Sequence, residues 1–280
     1  DPYQTETDDN RLIAEESVLR RFVSDRRWER MQAVLDQRSR YISVAVEDIY
    51  QPHNASAVLR SCDAFGVQDV HIIENRNRYR VNPGVELGTA QWLSLYRYRS
   101  GASGVGEARG AVGAPDTGSE RTAGTLEALE ALRARGYRIV ATTPHRDNYD
   151  LETLPLDTGP PVVFFGAEKE GLSQLLLNSA DEYLRIPMRG FVESLNISVS
   201  AAVTLQRLGD RLRAGDGAGG SSTGGPGPGG SSTGGAGGGA SDGGVPWRLT
   251  PSDRRRILNR WLRSSVRNAG LILERELPGG

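Results

Sequence analysis

The sequence predicts an α/β fold: a mainly parallel sheet with helices on both faces, and helical extensions at the two ends. Two observations carry this. Strand-like apolar runs alternate with helix-period segments over residues 41–213, the order that builds parallel crossovers. The run Pro161–Phe165 is apolar at every position, as a strand covered on both faces must be. With 280 residues the chain is long enough to bury a substantial core.

Residues 1–10 read as a polar lead. From Asn10 to Leu35, Leu12, Ile13, Leu19, Phe22, Val23, Met31, Val34 and Leu35 recur at helical spacing among arginines. That spacing predicts one or two amphipathic helices. Tyr41–Ile49 is a buried strand, Gln51-Pro52-His53 a turn, and Asn54 the cap of a helix that runs to Phe65 and stops at Gly66. Asp69–Ile73 and Leu93–Tyr98 are the next strands. Residues 100–124, rich in Gly, Ala and Ser, read as an inserted loop. Gly104, Gly106 and Gly110 miss the G-x-G-x-x-G spacing by one residue and no apolar helix follows directly, so a dinucleotide-binding loop is rejected there.

Thr125–Arg135 is a helix, Tyr137–Thr142 and Pro161–Phe165 are strands, Leu172–Ser179 a helix and Tyr183–Ile186 a strand. Pro187 and Gly190 then break regular structure. The following helix starts at the polar residues Ser194 and Asn196 and carries Val199, Ala202, Val203 and Leu205 on roughly one face. At Ala214 the composition changes. Glycine crowds Gly215–Gly244 and GGSSTGG occurs at 219–225 and again at 229–235, which predicts a flexible tether over 214–246. Beyond it, Pro251 starts a basic amphipathic helix with Ile257, Leu258, Trp261 and Leu262, continued by Leu271 and Leu273. Packing on the body or a partner subunit and contact with RNA are both open to this helix. The expected division is therefore 1–40, 41–213, 214–246 and 247–280.

The net charge is −1, so no overall basic field announces a nucleic-acid partner. Arginines nevertheless outnumber acids at both ends, over 11–40 and 247–280, and Lys169 is the only lysine. Arginine clusters suit a phosphate backbone; an arginine-favouring codon bias would give the same skew. The single cysteine, Cys62, excludes an internal disulfide framework. No apolar run reaches the roughly 20 residues of a membrane span, and the acidic first residues show no secretory signal. The expectation is a soluble cytoplasmic protein. His53, His71 and His145 are too scattered to suggest a metal site, and none is expected. Asn54-Ala-Ser56 and Asn196-Ile-Ser198 fit a glycosylation pattern that a cytoplasmic protein never uses.

Three polar clusters sit beside strand ends. The first holds Asn54 and Arg60, six residues apart on one helix, hence about 600° of rotation and ~9 Å of rise; a cap and a surface arginine would look the same. The second runs from the apolar strand through Gly166 to Glu168, Gly171 and Leu172, a strand–glycine–helix turn whose amides can receive a polar ligand edge. The third is Tyr183–Leu208. Together N-x-S-A-x-x-R-x-x-x-A-F-G, F-G-A-E-K-x-G-L and I-P-M-x-G-x-x-x-S-L-N-x-S-V resemble the three ordered motifs of the SPOUT class of S-adenosylmethionine-dependent RNA methyltransferases. The branch most similar is that of the tRNA guanosine 2′-O-ribose methyltransferases, over about Trp28 to Leu212.

The resemblance implies a deep C-terminal trefoil knot between about Gly166 and Leu208. It implies a methyl-donor pocket at Thr142, Thr143, Gly166, Ile186, Met188, Ser194 and Leu195. It also implies a homodimer through the motif-one helix and the helix after the knot, with each site drawing on both subunits. By the same analogy Arg60 withdraws the 2′-hydroxyl proton with help from a substrate phosphate. A guanidinium stays protonated at ordinary pH, so the simpler role is a bidentate grip on that phosphate; the protonation state stays open. Asn54 would orient Arg60 or the ribose, and Glu168, Ser194 and Asn196 would shape the pocket floor, with turn formation and capping as the plain alternative for Glu168 and Asn196. The implied substrate is tRNA, first of all the D-loop guanosine 18. A ribosomal RNA ribose or a catalytically silent RNA-binding protein are the alternatives.

Overall fold

The computed structural model describes residues 7–79, 88–99, 122–146, 148–168, 170–217 and 247–277. Most of the expected inserted loop, most of the expected tether, and Lys169 lie outside these residues.

Seven strands form one sheet: β1 Ser43–Glu47, β2 Asp69–Glu74, β3 Ser94–Arg99, β4 Arg138–Thr142, β5 Tyr149–Asp150, β6 Pro161–Phe165 and β7 Glu182–Arg185. Their order is β3-β2-β1-β6-β4-β7-β5, and every pairing is parallel. The central strands β1, β2 and β6 are buried at every residue, which is why Pro161–Phe165 shows no alternation. Their side chains still alternate between layers. Val44, Val46, Val163 and Phe165 enter one core, while Ala45, Val162 and Phe164 enter the other.

Three helices build the first layer's cover and the N-terminal extension: α1 Thr7–Arg20, α2 Asp25–Leu35 and α3 Pro52–Ala64. Pro52 stands at the start of α3, and Gln51 rather than Asn54 occupies its N-cap position. That corrects the expected cap: Asn54 lies inside the first turn, where its side chain is free to reach outward from the helix. Gly66 ends the helix at φ 79°, and a Cβ there would stand 2.3 Å from the Gln37 carbonyl oxygen, so only glycine fits.

A short 3₁₀ turn, Thr89–Trp92, precedes β3, and α4 Ala123–Ala134 and α5 Gln174–Ser179 cover the second face. Helix α6 runs Ile197–Gly217, past the expected tether start at Ala214, and packs on α3. Its buried stripe is Ile197, Ala201, Leu205, Leu208 and Leu212, whereas Val199 and Val203 are exposed. This corrects the predicted face at the two valines: the steps from Ile197 follow the helical period, and Val199 and Val203 fall about 200° and 240° round the helix from it.

The two ends meet. Helices α7 Pro251–Ser265 and α8 Ala269–Glu276 join α1 and α2 around Leu19, Met31, Leu35, Ile257, Leu258, Trp261 and Leu262. Leu273 is buried with them, but Leu271 is exposed, as are Ile13 and Phe22 of the N-terminal pattern. Many arginines of these ends are spent on ion pairs inside the bundle. Glu15 receives Arg11 and Arg263, Asp36 receives Arg254, and Asp253 receives Arg40. No helix of the described residues is long and apolar enough to cross a membrane.

Candidate active site

Open parallel sheets bind ligands outside the carboxyl ends of their strands. Here the segments leaving β4, β6 and β7 converge on one cavity of about 440 Å³. Thr142, Thr143, Gly166, Ile186, Met188, Ser194 and Leu195 all line it, so three stretches distant in sequence share one wall.

Each segment is held by backbone geometry. Thr142 Oγ1 donates to the Phe164 carbonyl at 2.7 Å, and the Thr143 amide donates to the Leu184 carbonyl at 3.1 Å. After β6 the chain folds back tightly: Ala167 and Gly171 exchange backbone hydrogen bonds at 3.1 and 2.8 Å. A Cβ on Gly166 would lie 2.1 Å from the Gly171 carbonyl carbon, which explains the glycine. The far end of the turn is tied down by Glu47, a buried carboxylate at the end of β1. It accepts from the Ser173 amide at 2.7 Å, the Ser173 hydroxyl at 2.8 Å and the Thr125 hydroxyl at 2.7 Å. Asp48, at φ 52°, accepts from the amides of Asn75, Arg76 and Asn77. Arg76 then pairs with the cavity residue Glu170 at 2.6 Å. Neither Glu47 nor Asp48 belongs to the three sequence motifs. A carboxylate at the end of a mostly apolar strand is the one signal the sequence offers.

Asn54, Glu168 and Asn196 come together. The Asn54 amide donates to the Glu168 carboxylate, and the Asn196 amide donates to the Asn54 side-chain oxygen at 3.2 Å. Asn196 also caps α6, accepting from the Ser198 amide at 2.9 Å. Its capping role and its contact with Asn54 therefore coexist. Glu168 lines the cavity, whereas Asn54 and Asn196 do not. Arg60 does not join them. It is exposed, does not line the cavity, and makes no hydrogen bond or ion pair with a described residue. Within one chain the Asn54 side chain therefore bonds Glu168 and not Arg60. Among the described residues no cluster of three or more His, Cys, Asp and Glu side chains could hold a metal ion.

Sequence reasoning missed several cavity residues: Glu170, Glu193, His145, Leu184 and Ser200. Glu193 sat inside the third motif at an unassigned position.

The sequence and the fold are similar to those of known proteins. The SpoU rRNA Methylase family model matches residues 41–111 and 107–206. A Borreliella burgdorferi protein named tRNA (guanosine(18)-2'-O)-methyltransferase is 35% identical over 205 residues, covering 73% of this chain and 83% of its own. A Thermus thermophilus protein of the same name is 34% identical over 193 residues, 69% of this chain and 87% of its own. In fold, the chain is similar to the A. aeolicus TrmH/SpoU tRNA modifying enzyme, with a TM-score of 0.60 at 22% identity over 87% of this chain and 98% of that one. From the convergence of its three motifs on one cavity and from these likenesses, the chain belongs to the SpoU rRNA methylase family.

Proposed function

We propose that this protein transfers a methyl group from S-adenosylmethionine to a ribose 2′-oxygen of tRNA, at guanosine 18. The observation that carries this is the Asn54–Glu168–Asn196 assembly at the wall of the cavity where the three motifs meet. The relatives named for guanosine-18 methylation supply the position.

The cavity fits the donor. About 440 Å³ falls within the roughly 300–1,000 Å³ of small-molecule sites. Phe165, Leu184 and Ile186 give it apolar walls for a nucleobase, and no arginine or lysine is among its described lining residues, which suits a ligand of net positive charge. Bound there, S-adenosylmethionine supplies an electrophilic methyl group. The chain's own residues do the rest. The Gly166–Leu172 turn and the Ile186–Leu195 crossover present backbone amides and carbonyls to the ligand. Asn54, itself held by Asn196, holds Glu168 in one orientation.

A 2′-hydroxyl needs its proton withdrawn as the new bond forms, and Arg60 is the residue assigned to that end of the reaction. It grips the phosphate beside the target ribose, and a phosphate oxygen accepts the proton. Because Arg60 lies away from the cavity of its own chain, the reading requires a homodimer in which α3 of a second copy brings it in. The exposed apolar side chains Tyr50, Phe191, Val199 and Val203 flank the region such a copy would cover. The crossover from β7 to α6 is read as threaded, forming the trefoil knot. For tRNA docking, a groove of about 1000 Å³ between α2, Trp92 and Trp261 is lined by Arg26, Arg27 and Arg30. Arg26 and Arg30 make no ion pair with described residues, unlike Arg20, Arg254 and Arg263. Unpaired arginines beside an aromatic face suit a phosphate backbone with accessible bases. The protein is taken to act in the cytoplasm.

Methyl transfer to unmodified tRNA, followed by mapping, tests the reading. Ribose methylation at guanosine 18, abolished when that nucleotide lacks its 2′-hydroxyl, is the expected result. Transfer to ribosomal RNA alone would replace the substrate, and no transfer to any RNA would leave a silent binding protein.

A further inference from the structure

We infer that Glu193 lets the cavity distinguish the charged methyl donor from the uncharged thioether left after transfer. The inference rests on the donor reading above.

Three carboxylates line the cavity: Glu168, Glu170 and Glu193. Two have bonded partners, one a neutral amide and the other a cation. Glu168 receives the Asn54 amide, and Glu170 pairs with Arg76 at 2.6 Å, which Asp48 also holds. Glu193 has no hydrogen-bond or ion-pair partner among the described residues, and it sits on the crossover between the lining residues Met188 and Ser194. Among the described residues no bonded cation offsets its carboxylate.

The ligand's charge changes in the reaction. The sulfur–methyl bond breaks with its electron pair left on sulfur, the methyl joins the ribose oxygen, and the hydroxyl proton departs. The donor carries a sulfonium, an ammonium and a carboxylate; the product has lost the sulfonium charge. Donor and carboxylate share one cavity, which makes a separation of roughly 9 Å between the sulfur and Glu193 a fair working distance. At that separation one unit charge alters affinity between roughly twofold in a water-like surrounding and twentyfold in a protein-like one. Glu193 thus favours the loaded ligand and speeds release of the spent one, limiting product inhibition.

Calorimetric titration of the full chain with three ligands tests this: S-adenosylmethionine, S-adenosylhomocysteine, and the analogue in which a protonated amine replaces the sulfonium. For Glu193→Gln the expected result is a roughly two- to twentyfold loss of affinity for both charged ligands. The thioether should change by less than about twofold, and the contrast should shrink with added salt. Glu170→Gln, whose charge Arg76 already offsets, should shift the ratio less. Equal losses for all three ligands, or none, overturn the role of Glu193 and leave the donor site standing. Failure of the wild-type protein to bind any of them overturns the donor site itself. Glu193 is exposed, so the variant is expected to fold, and its melting temperature checks that.

Discussion

The Asn54 side chain donates to the Glu168 carboxylate across 114 residues of sequence, joining the first turn of a helix to the turn after a central strand. With the bond from Asn196 to Asn54 it makes one polar unit from three motifs. Asn54→Ala leaves the Asn196 donor and one Glu168 lone pair without partners. Each lost bond costs on the order of 1 kcal/mol or more, so methyl transfer should fall roughly tenfold or further. Asn54→Asp sets a second carboxylate against Glu168 and should be worse at neutral pH. Donor affinity in the same variants should stay near wild type, since Asn54 does not line the cavity. A drop in donor binding equal to the drop in rate would contradict this division of labour.

Gly166→Ala tests the turn itself. The added Cβ would meet the Gly171 carbonyl carbon at 2.1 Å and the Leu172 amide nitrogen at 2.3 Å, both backbone, with no side chain to yield. Overpacking of that kind costs about 1–3 kcal/mol. A lowered melting temperature together with weakened donor binding is expected. Gly190→Ala, where a Cβ meets nothing within 4 Å, is the comparison and should leave the melting temperature nearly unchanged.

The central strands were legible because a run such as Pro161–Phe165 has no polar side to show, and a parallel sheet buried on both faces is the one setting that tolerates it. The two-residue strand Tyr149–Asp150 was not, since so short a segment carries no period. Val199 and Val203 misled because α6 is apolar on more than one side, and only the packing against α3 picks the buried stripe. Asn54 looked like a cap because asparagine is a capping residue type; its long-range bond to Glu168 leaves no local mark. The residues around the cavity were grouped by family resemblance, not by spacing. Nothing in either terminal segment alone said that Met31 and Trp261 would share a core.

Burial makes His71 an acid-sensitive element. Desolvation, with the nearby Arg135 charge adding to it, pushes its pKa down from 6.5 to about 3. It is stacked on Tyr96 and bonded to Tyr98 at 3.0 Å. Below pH 6.5 the unfolded chain binds a proton there that the folded chain refuses until about pH 3. Stability therefore falls as pH drops through that window, by about 1.4 kcal/mol per unit, and is unaffected by this group above it. Urea unfolding at pH 7 and pH 5 should show a loss about 2 kcal/mol smaller in His71→Phe than in wild type. Equal losses in the two proteins would remove His71 as the cause.

Arg60 offers the sharpest test of the two-subunit reading. It is exposed and bonded to no described residue, so Arg60→Ala should change stability by less than about 0.5 kcal/mol while abolishing methyl transfer. Arg60→Lys should not rescue it, since a point charge cannot give the planar two-bond grip. Glu168→Ala removes the other half of the site. If each site takes Arg60 from one subunit and Glu168 from the other, a mixed dimer of the two variants places both lesions in one site and leaves its second site intact. Unfolding and refolding an equal mixture yields about half mixed dimers, so activity should return to roughly a quarter of wild type, although each variant alone is inactive. If both residues served the same chain's site, every site in the mixture would carry one lesion, and refolding would recover nothing.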